Sequence, residues 1–223
     1  LKDALEVGSP LIDGIDSDQN YFIDDIIGWD ASGNTSIDAV TPIPDNNPFP
    51  DHDSENWSHG THVAGILGAT TNNDIGIAST AFDVSILPVK GARLNDADNS
   101  ASLYDTYDGM LYAAKAGFYS ETFTIINCSW GSAIGNSFTI SNFQNSVINV
   151  INNLYGAIIV AAAGNGTQDE DGNWISEEEY AEFFPASFEN VISVSALDCE
   201  GNWGGGGTYH PTIDISAPGE QVM

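Results

Sequence analysis

The run His59-Gly60-Thr61-His62-Val63-Ala64-Gly65-Ile66-Leu67-Gly68-Ala69 sets a histidine at the first turn of a helix. Val63, Ile66 and Leu67 recur at helical spacing, while Gly60, Ala64, Gly65 and Gly68 remove bulk where a tightly packed helix would press on a sheet. An imidazole at a rigid helix end facing an opening can take a proton from a hydroxyl nucleophile and return it to a leaving amine, because its pKa lies near working pH. His62 follows at i+3, not at the i+4 of a zinc-protease helix, and so reads as structural. A second group of residues suits a different chemistry. From Asp13 to Asp25, oxygen-bearing side chains alternate: Asp16, Asp18 and Asn20, a backbone carbonyl near Phe22, and Asp24 or Asp25 could wrap one calcium ion. Tyr21 stands where an EF-hand loop would carry glycine, and a solvated acidic loop is the alternative. Asp51, His52 and Asp53 read as solvated.

The His59 run closely resembles the H-G-T-H-V-A-G signature of the subtilisin-like serine peptidases. Further blocks follow in that family's order: Asn127-Cys128-Ser129-Trp130-Gly131, Ala161-Ala162-Ala163-Gly164-Asn165, Phe184-Pro185-Ala186-Ser187, and Asp214-Ile215-Ser216-Ala217-Pro218-Gly219. The resemblance implies serine endopeptidase activity on polypeptide substrates through an acyl-enzyme, with His59 as general base and then acid. It makes Asn165 the donor to the oxyanion; losing one such donor costs on the order of 3 kcal/mol of barrier. It makes Ser129, Trp130 and Gly131 one side of the pocket for the residue before the cut bond, and Ala162, Ala163 and Gly164 the opposite wall. Small side chains there leave a slot. Asn99-Ser100-Ala101-Ser102 looks like the second substrate-pairing edge, with Ser100 and Ser102 as its residues and a plain turn as the alternative. The acidic stretch looks like an insertion found in some bacterial members, which supports the calcium ion.

Two family motifs are absent from these 223 residues, D-[ST]-G for the triad aspartate and G-T-S-M-A for the nucleophilic serine. Leu11-Ile12-Asp13-Gly14 imitates the first with one residue missing, but Asp13 fits better as the start of the acidic loop. The resemblance therefore implies the central part of a catalytic domain, truncated at both ends and inactive alone. The rival is a non-catalytic, calcium-loaded peptide-binding module of the same fold.

Thirty-two acidic residues stand against four basic ones, a formal net charge of −28. That balance excludes nucleic-acid binding, which needs positive charge facing phosphate, and loads the fold with self-repulsion that salt or bound cations relieve. No apolar run is long enough to span a bilayer, and no signal peptide is visible, so an extracellular location rests on the family alone. Two cysteines read as free thiols, with Cys128 inside a buried strand. Length alone suggests one domain, residues 1–223. Val84–Val89, Phe123–Cys128, Gly156–Ala161 and Val191–Ser195 read as strands. Leu103, Tyr107, Met110, Leu111 and Ala114 mark one helix, stopping at Gly117, and Ile140, Phe143, Val147, Ile151 and Leu154 mark another. Apolar strands alternating with helices imply an α/β fold in three layers, a mostly parallel sheet with helices on both faces, and ligands gather at the carboxyl ends of such strands.

Overall fold

The structure, a computed structural model, describes residues 12–33, 43–95, 97–133, 142–168, 174–175, 182–202, 208 and 210–219. The chain divides into two compact units, Leu1–Thr122 and Phe123–Met223.

In the first unit the elements are β1 (Trp29–Asp30), a 3-10 turn at Glu55–Trp57, α1 (His59–Gly68), β2 (Val89–Lys90), β3 (Ala92–Leu94), β4 (Ala101–Leu103) and α2 (Thr106–Tyr119). β1 and β2 run parallel, with Trp29 opposite Val89 and Asp30 opposite Lys90. β3 and β4 form an antiparallel hairpin. α2 carries most of the core. Met110, Tyr112, Ala113, Ala114 and Ala116 are buried, and Tyr112 packs against Phe22 and Trp29 at ring-centroid distances of 4.7 and 5.8 Å. The helical stripe differs from the one the apolar spacing suggests. Leu103 belongs to β4 and is exposed, while Gly117 lies buried inside a helix that continues to Tyr119. Small residues explain the shift, because they let α2 lie close to β2: a Cβ on Gly109 would stand 2.9 Å from Val89 Cγ1.

Two expectations are corrected in this unit. Val84–Val89 is not a buried strand: pairing begins only at Val89, and Val84, Ile86 and Leu87 are 47%, 41% and 40% exposed. An apolar run gives the tendency to extend, but burial needs a partner strand, and none pairs with 84–88 among the described residues. α1 is likewise not tightly enclosed, since none of its residues is buried. Within its own unit it leans on the 77–86 segment, where a Cβ on Gly68 would meet Ile86 Cδ1 and Val84 Cγ2 at 2.9 Å. Its small residues do mark a close contact, made within this unit to one extended segment.

The three described basic residues, Lys90, Arg93 and Lys115, are held in internal contacts. Lys90 Nζ is 2.7 Å from both Asp30 Oδ2 and Asp51 Oδ1, with the Asp30 side chain fully buried. Arg93, also fully buried, donates through Nε to the Ser32 carbonyl at 2.9 Å, pairs with Asp105 at 3.0 Å and stacks 3.7 Å from the Tyr104 ring centroid. Lys115 Nζ lies 4.9 and 5.4 Å from the rings of Tyr21 and Phe22. Asp51 is thus an ion-pair partner, and the neighbouring His52 Nδ1 accepts from the Ser54 amide.

The second unit is built on a parallel four-stranded sheet. Its elements are β5 (Ile125–Cys128), β6 (Ser132–Ala133), α3 (Asn142–Asn153), β7 (Ile158–Ala162), β8 (Thr167–Gln168), β9 (Trp174–Ile175), β10 (Phe183–Phe184), β11 (Val191–Leu197) and β12 (Ile215–Pro218). The sheet order is β12-β11-β7-β5, all parallel, with Ile126 opposite Ile159 and Val191 opposite Ile159. One face, bearing Ile126, Cys128, Ile159, Ala161 and Val191, is buried with Val147, Ile148 and Ile151 of α3. The expected stripe on α3 is wider than the buried one: Phe143 is exposed, Leu154 is exposed and follows the helix end at Asn153, and Ile140 lies outside the described residues. Among the described residues of this unit no helix covers the other face, where Ile125, Ile158, Ile192 and Ile215 are exposed. Cys128 is fully buried and Cys199 exposed, both free thiols, and burial pushes the Cys128 thiol up to about 12.

Candidate active site

Asn165 follows β7 at the carboxyl end of the sheet, between two glycines with positive φ, Gly164 at 106° and Gly166 at 68°. That turn is braced from both sides by one residue. Thr208 donates its amide to the Gly164 carbonyl at 3.3 Å and accepts from the Gly166 amide through Oγ1 at 2.9 Å. Its own carbonyl accepts from Ser195 Oγ at 2.9 Å, which fixes it to β11. Asn165 itself is exposed. A side-chain amide held out from a doubly braced turn is pre-organised as a donor, since no backbone need reorganise when charge develops on an acceptor.

The two expected pocket walls lie in this unit, and the structure brings them to a common neighbour. Ser129-Trp130-Gly131 leaves β5, where Asn127 Nδ2 donates to Ser129 Oγ at 2.9 Å. Ala162-Ala163-Gly164 ends β7, with the Ala163 amide donating to the Val194 carbonyl at 2.9 Å. Both Gly131 and Gly164 abut the ring of Phe183. Neither Thr208 nor Phe183 belongs to a motif that sequence reading singles out. Thr208 stands 42 positions from the amide it accepts, so no local pattern marks it. Phe183 directly precedes the Phe184-Pro185-Ala186 block, which was the one available signal.

In the first unit His59 is the first residue of α1 and is exposed. The 3-10 turn runs straight into the helix, with Ser58 donating its amide to the Glu55 carbonyl at 3.0 Å and His62 donating to the Ser58 carbonyl at 2.9 Å. Trp57, two residues ahead, is buried and donates Nε1 to the Asn99 carbonyl at 3.2 Å; Ser54 Oγ donates to the same oxygen at 3.2 Å. These bonds tie the helix start to the β3–β4 turn, beyond which lie Ser100 and Ser102. Ser102 sits in β4 opposite Arg93, and among the described residues the other edge of β4 has no strand partner. The Ser100 hydroxyl and amide hold the Asp98 carboxyl below its ordinary value.

The acidic loop is closed on itself. Asp24 accepts from the amides of Asp13 and Gly14 at 3.1 and 3.0 Å, so Asp13 is part of the loop. Asp16 accepts from the amides of Asn20 and Tyr21 at 3.1 and 2.8 Å. Asn20 is fully buried, its Nδ2 donating to Asp18 Oδ2 and Asp25 Oδ2, each at 2.9 Å, while its Oδ1 accepts from the Phe22 amide at 2.7 Å. Burial pushes the Asp18 carboxyl up, and the charges of Asp25 and Asp16 add to the rise. Gln19, Tyr21 and Asp24 all have positive φ, at 61°, 77° and 56°, a conformation non-glycine residues adopt rarely. Nearby, the Tyr112 hydroxyl is buried, and burial and the neighbouring Asp25 carboxylate both hold it in its protonated form. Among the described residues no three His, Cys, Asp or Glu side chains converge on a point where an ion would sit.

A parallel α/β unit with a braced asparagine at a strand end, and a histidine opening a glycine-rich helix, define the type of scaffold that comparison can identify. The model of the Subtilase family matches residues 12–223, and the chain belongs to that family. It is 37% identical over 177 residues to thermitase of Thermoactinomyces vulgaris, covering 78% of this chain and 54% of thermitase. It is 31% identical over 175 residues to an extracellular protease of Xanthomonas campestris, covering 76% of this chain and 27% of that protein. Among solved structures, a protease of Pseudoalteromonas arctica superposes with a TM-score of 0.62 at 25% identity, over 86% of this chain and 56% of the other. The chain thus spans about a quarter to a half of the length of these relatives. The fold class is the subtilisin-like α/β arrangement. No described helix is long and apolar enough to cross a membrane.

Proposed function

We propose that these residues serve a secreted subtilisin-like serine endopeptidase, with the triad aspartate and serine supplied by sequence beyond residues 1–223. His59 accepts the proton of the serine hydroxyl as its oxygen attacks the peptide carbonyl. Asn165 Nδ2 donates to the oxyanion so formed, and His59 returns the proton to the leaving amine, leaving an acyl-enzyme that water hydrolyses by the same exchange. Ser100, just ahead of β4, and Ser102 on the open edge of β4, together with Ser129 to Gly131, pair with extended substrate. The observation that carries this reading is the bracing of Asn165 by Thr208 at the carboxyl end of β7. Extracellular relatives support secretion.

A fluorophosphonate, which labels only an activated serine, tests it. A chain extended through D-[ST]-G upstream and G-T-S-M-A downstream is expected to label, and residues 1–223 alone are not. If the folded extended chain carries that serine and stays unlabelled, the peptide-binding module without chemistry becomes the better account.

Calcium belongs to the same proposal. The donor types fit: hard oxygens from Asp16, Asp18, Asn20, Asp25 and the Phe22 carbonyl, with the Asp18 carboxyl raised first by burial and further by the charges of Asp25 and Asp16. Asp16 and Asp24 each already accept from two loop amides and would have to share those oxygens with the ion, whereas Asp25 accepts from the Asn20 side chain and is the better placed of Asp24 and Asp25. The Asn20 amide stands between Asp18 and Asp25 and must turn for its oxygen to join. An ion bound only by the folded chain stabilises it by mass action, by about 2.7 kcal/mol at a hundredfold excess over Kd. Melting with and without a chelator at fixed ionic strength should show the midpoint fall on chelation; an unchanged midpoint excludes the ion.

A further inference from the structure

The slot that small wall residues would leave is filled by one of the chain's own side chains. A Cβ built on Gly131 would stand 2.8 Å from Phe183 Cδ1 and 2.7 Å from the Phe184 carbonyl oxygen. One built on Gly164 would stand 3.2 Å from Phe183 Cδ2, 3.3 Å from its Cγ and 2.8 Å from Thr208 Oγ1. The ring of Phe183 therefore lies with one edge on the Gly131 wall and the other on the Gly164 wall. Its backbone is pinned. β10 pairs antiparallel with β6, placing Phe183 opposite Ala133, and Ser187 bonds both ends of the residue: the Phe183 amide donates to Ser187 Oγ at 3.1 Å, and its carbonyl accepts from the Ser187 amide at 2.8 Å. A side chain on such a backbone can change rotamer but cannot leave.

We infer that Phe183 sets the substrate class by occupying the pocket for the residue before the scissile bond, restricting that residue to glycine, alanine or serine. The inference rests on the proposed peptidase reading for what the two walls contact. A substrate leucine or phenylalanine would need the volume the Phe183 ring already fills between two backbone walls. A methyl group needs only the mouth of the slot. Exclusion by an intruding group is the repulsive half of specificity, and in apolar pockets each methylene of misfit costs about 10- to 200-fold in kcat/KM.

The experiment uses the complete protein and a set of tetrapeptide anilides differing only in the last residue, alanine, leucine or phenylalanine. Alanine is expected to exceed phenylalanine by at least about tenfold in kcat/KM, and Phe183→Gly to raise the phenylalanine-to-alanine ratio of kcat/KM by at least about tenfold, whatever it does to the alanine substrate alone. Phe183→Leu should fall between, and it carries the test if Phe183→Gly does not fold. In parallel, binding of the uncleaved tetrapeptide acids is followed by fluorescence polarisation. If nothing is cleaved but the wild type still binds the alanine-ending peptide selectively and Phe183→Gly removes that selectivity, the peptidase reading falls and the size restriction stands. Equal handling of alanine and phenylalanine by the wild type, or an unchanged ratio in the folded variants, overturns the inference.

Discussion

Replacing Asn165 by alanine in the complete peptidase is expected to lower kcat by about 100- to 1,000-fold, with KM changed less than about twofold. The asymmetry follows from where the donor acts. A carbonyl in the ground state needs little from the amide, whereas the oxyanion needs it fully, so the loss falls on the transition state alone. The turn around Asn165 survives the change, because Thr208 bonds the backbone of Gly164 and Gly166 and not the Asn165 side chain. Steady-state kinetics on a single peptide substrate decide the matter. A KM rise with unchanged kcat would assign Asn165 to ground-state binding and remove it from the oxyanion site.

Lys90→Met is expected to cost about 3–5 kcal/mol of stability. Asp30 Oδ1 would keep its bonds from the Ser32 amide, the Ser32 hydroxyl and the Gly33 amide at 3.0, 2.7 and 2.9 Å. Asp30 Oδ2 is compensated by its ion pair with Lys90, and among the described residues no other group donates to it. Methionine would leave that oxygen charged, buried and alone. Urea unfolding followed by tryptophan fluorescence measures the loss, and adding Asp30→Asn to the Lys90→Met chain should recover part of it by removing the stranded charge. A loss below about 1 kcal/mol would mean that water reaches Asp30 on opening, against its full burial here.

How far such features are legible in the chain depends on how local they are. His59 at a helix start and Asn165 at a strand end are local patterns, and the structure has both in those places. β5, β7 and β11 were legible from their apolar runs, because strands inside a parallel sheet carry apolar residues on both sides, whereas β12 was not read as a strand. Val84 to Leu87 shows the limit: the same composition predicts extension equally well, but only a partner strand brings burial. Thr208 and the Asp30–Lys90 pair were invisible for the opposite reason. Each depends on a register set by distant segments, with Asp30 meeting Lys90 only because β1 lies beside β2. Phe183 lies between these cases, since its neighbours in sequence were recognisable while the glycines it touches were known only as small residues.

The placement of the basic residues has a consequence for proteolysis. A protease that cuts after lysine or arginine finds four candidate bonds in 223 residues, and none of the four cations lies beyond Lys115. Lys90 and Arg93 are buried in ion pairs within the first unit, so cleavage there requires that unit to open. The whole second unit, with no Lys or Arg of its own, stays in one piece whatever its conformational state. Tryptic fragments therefore report the opening of Leu1–Thr122 selectively, and a chymotryptic digest is the one that senses Phe123–Met223.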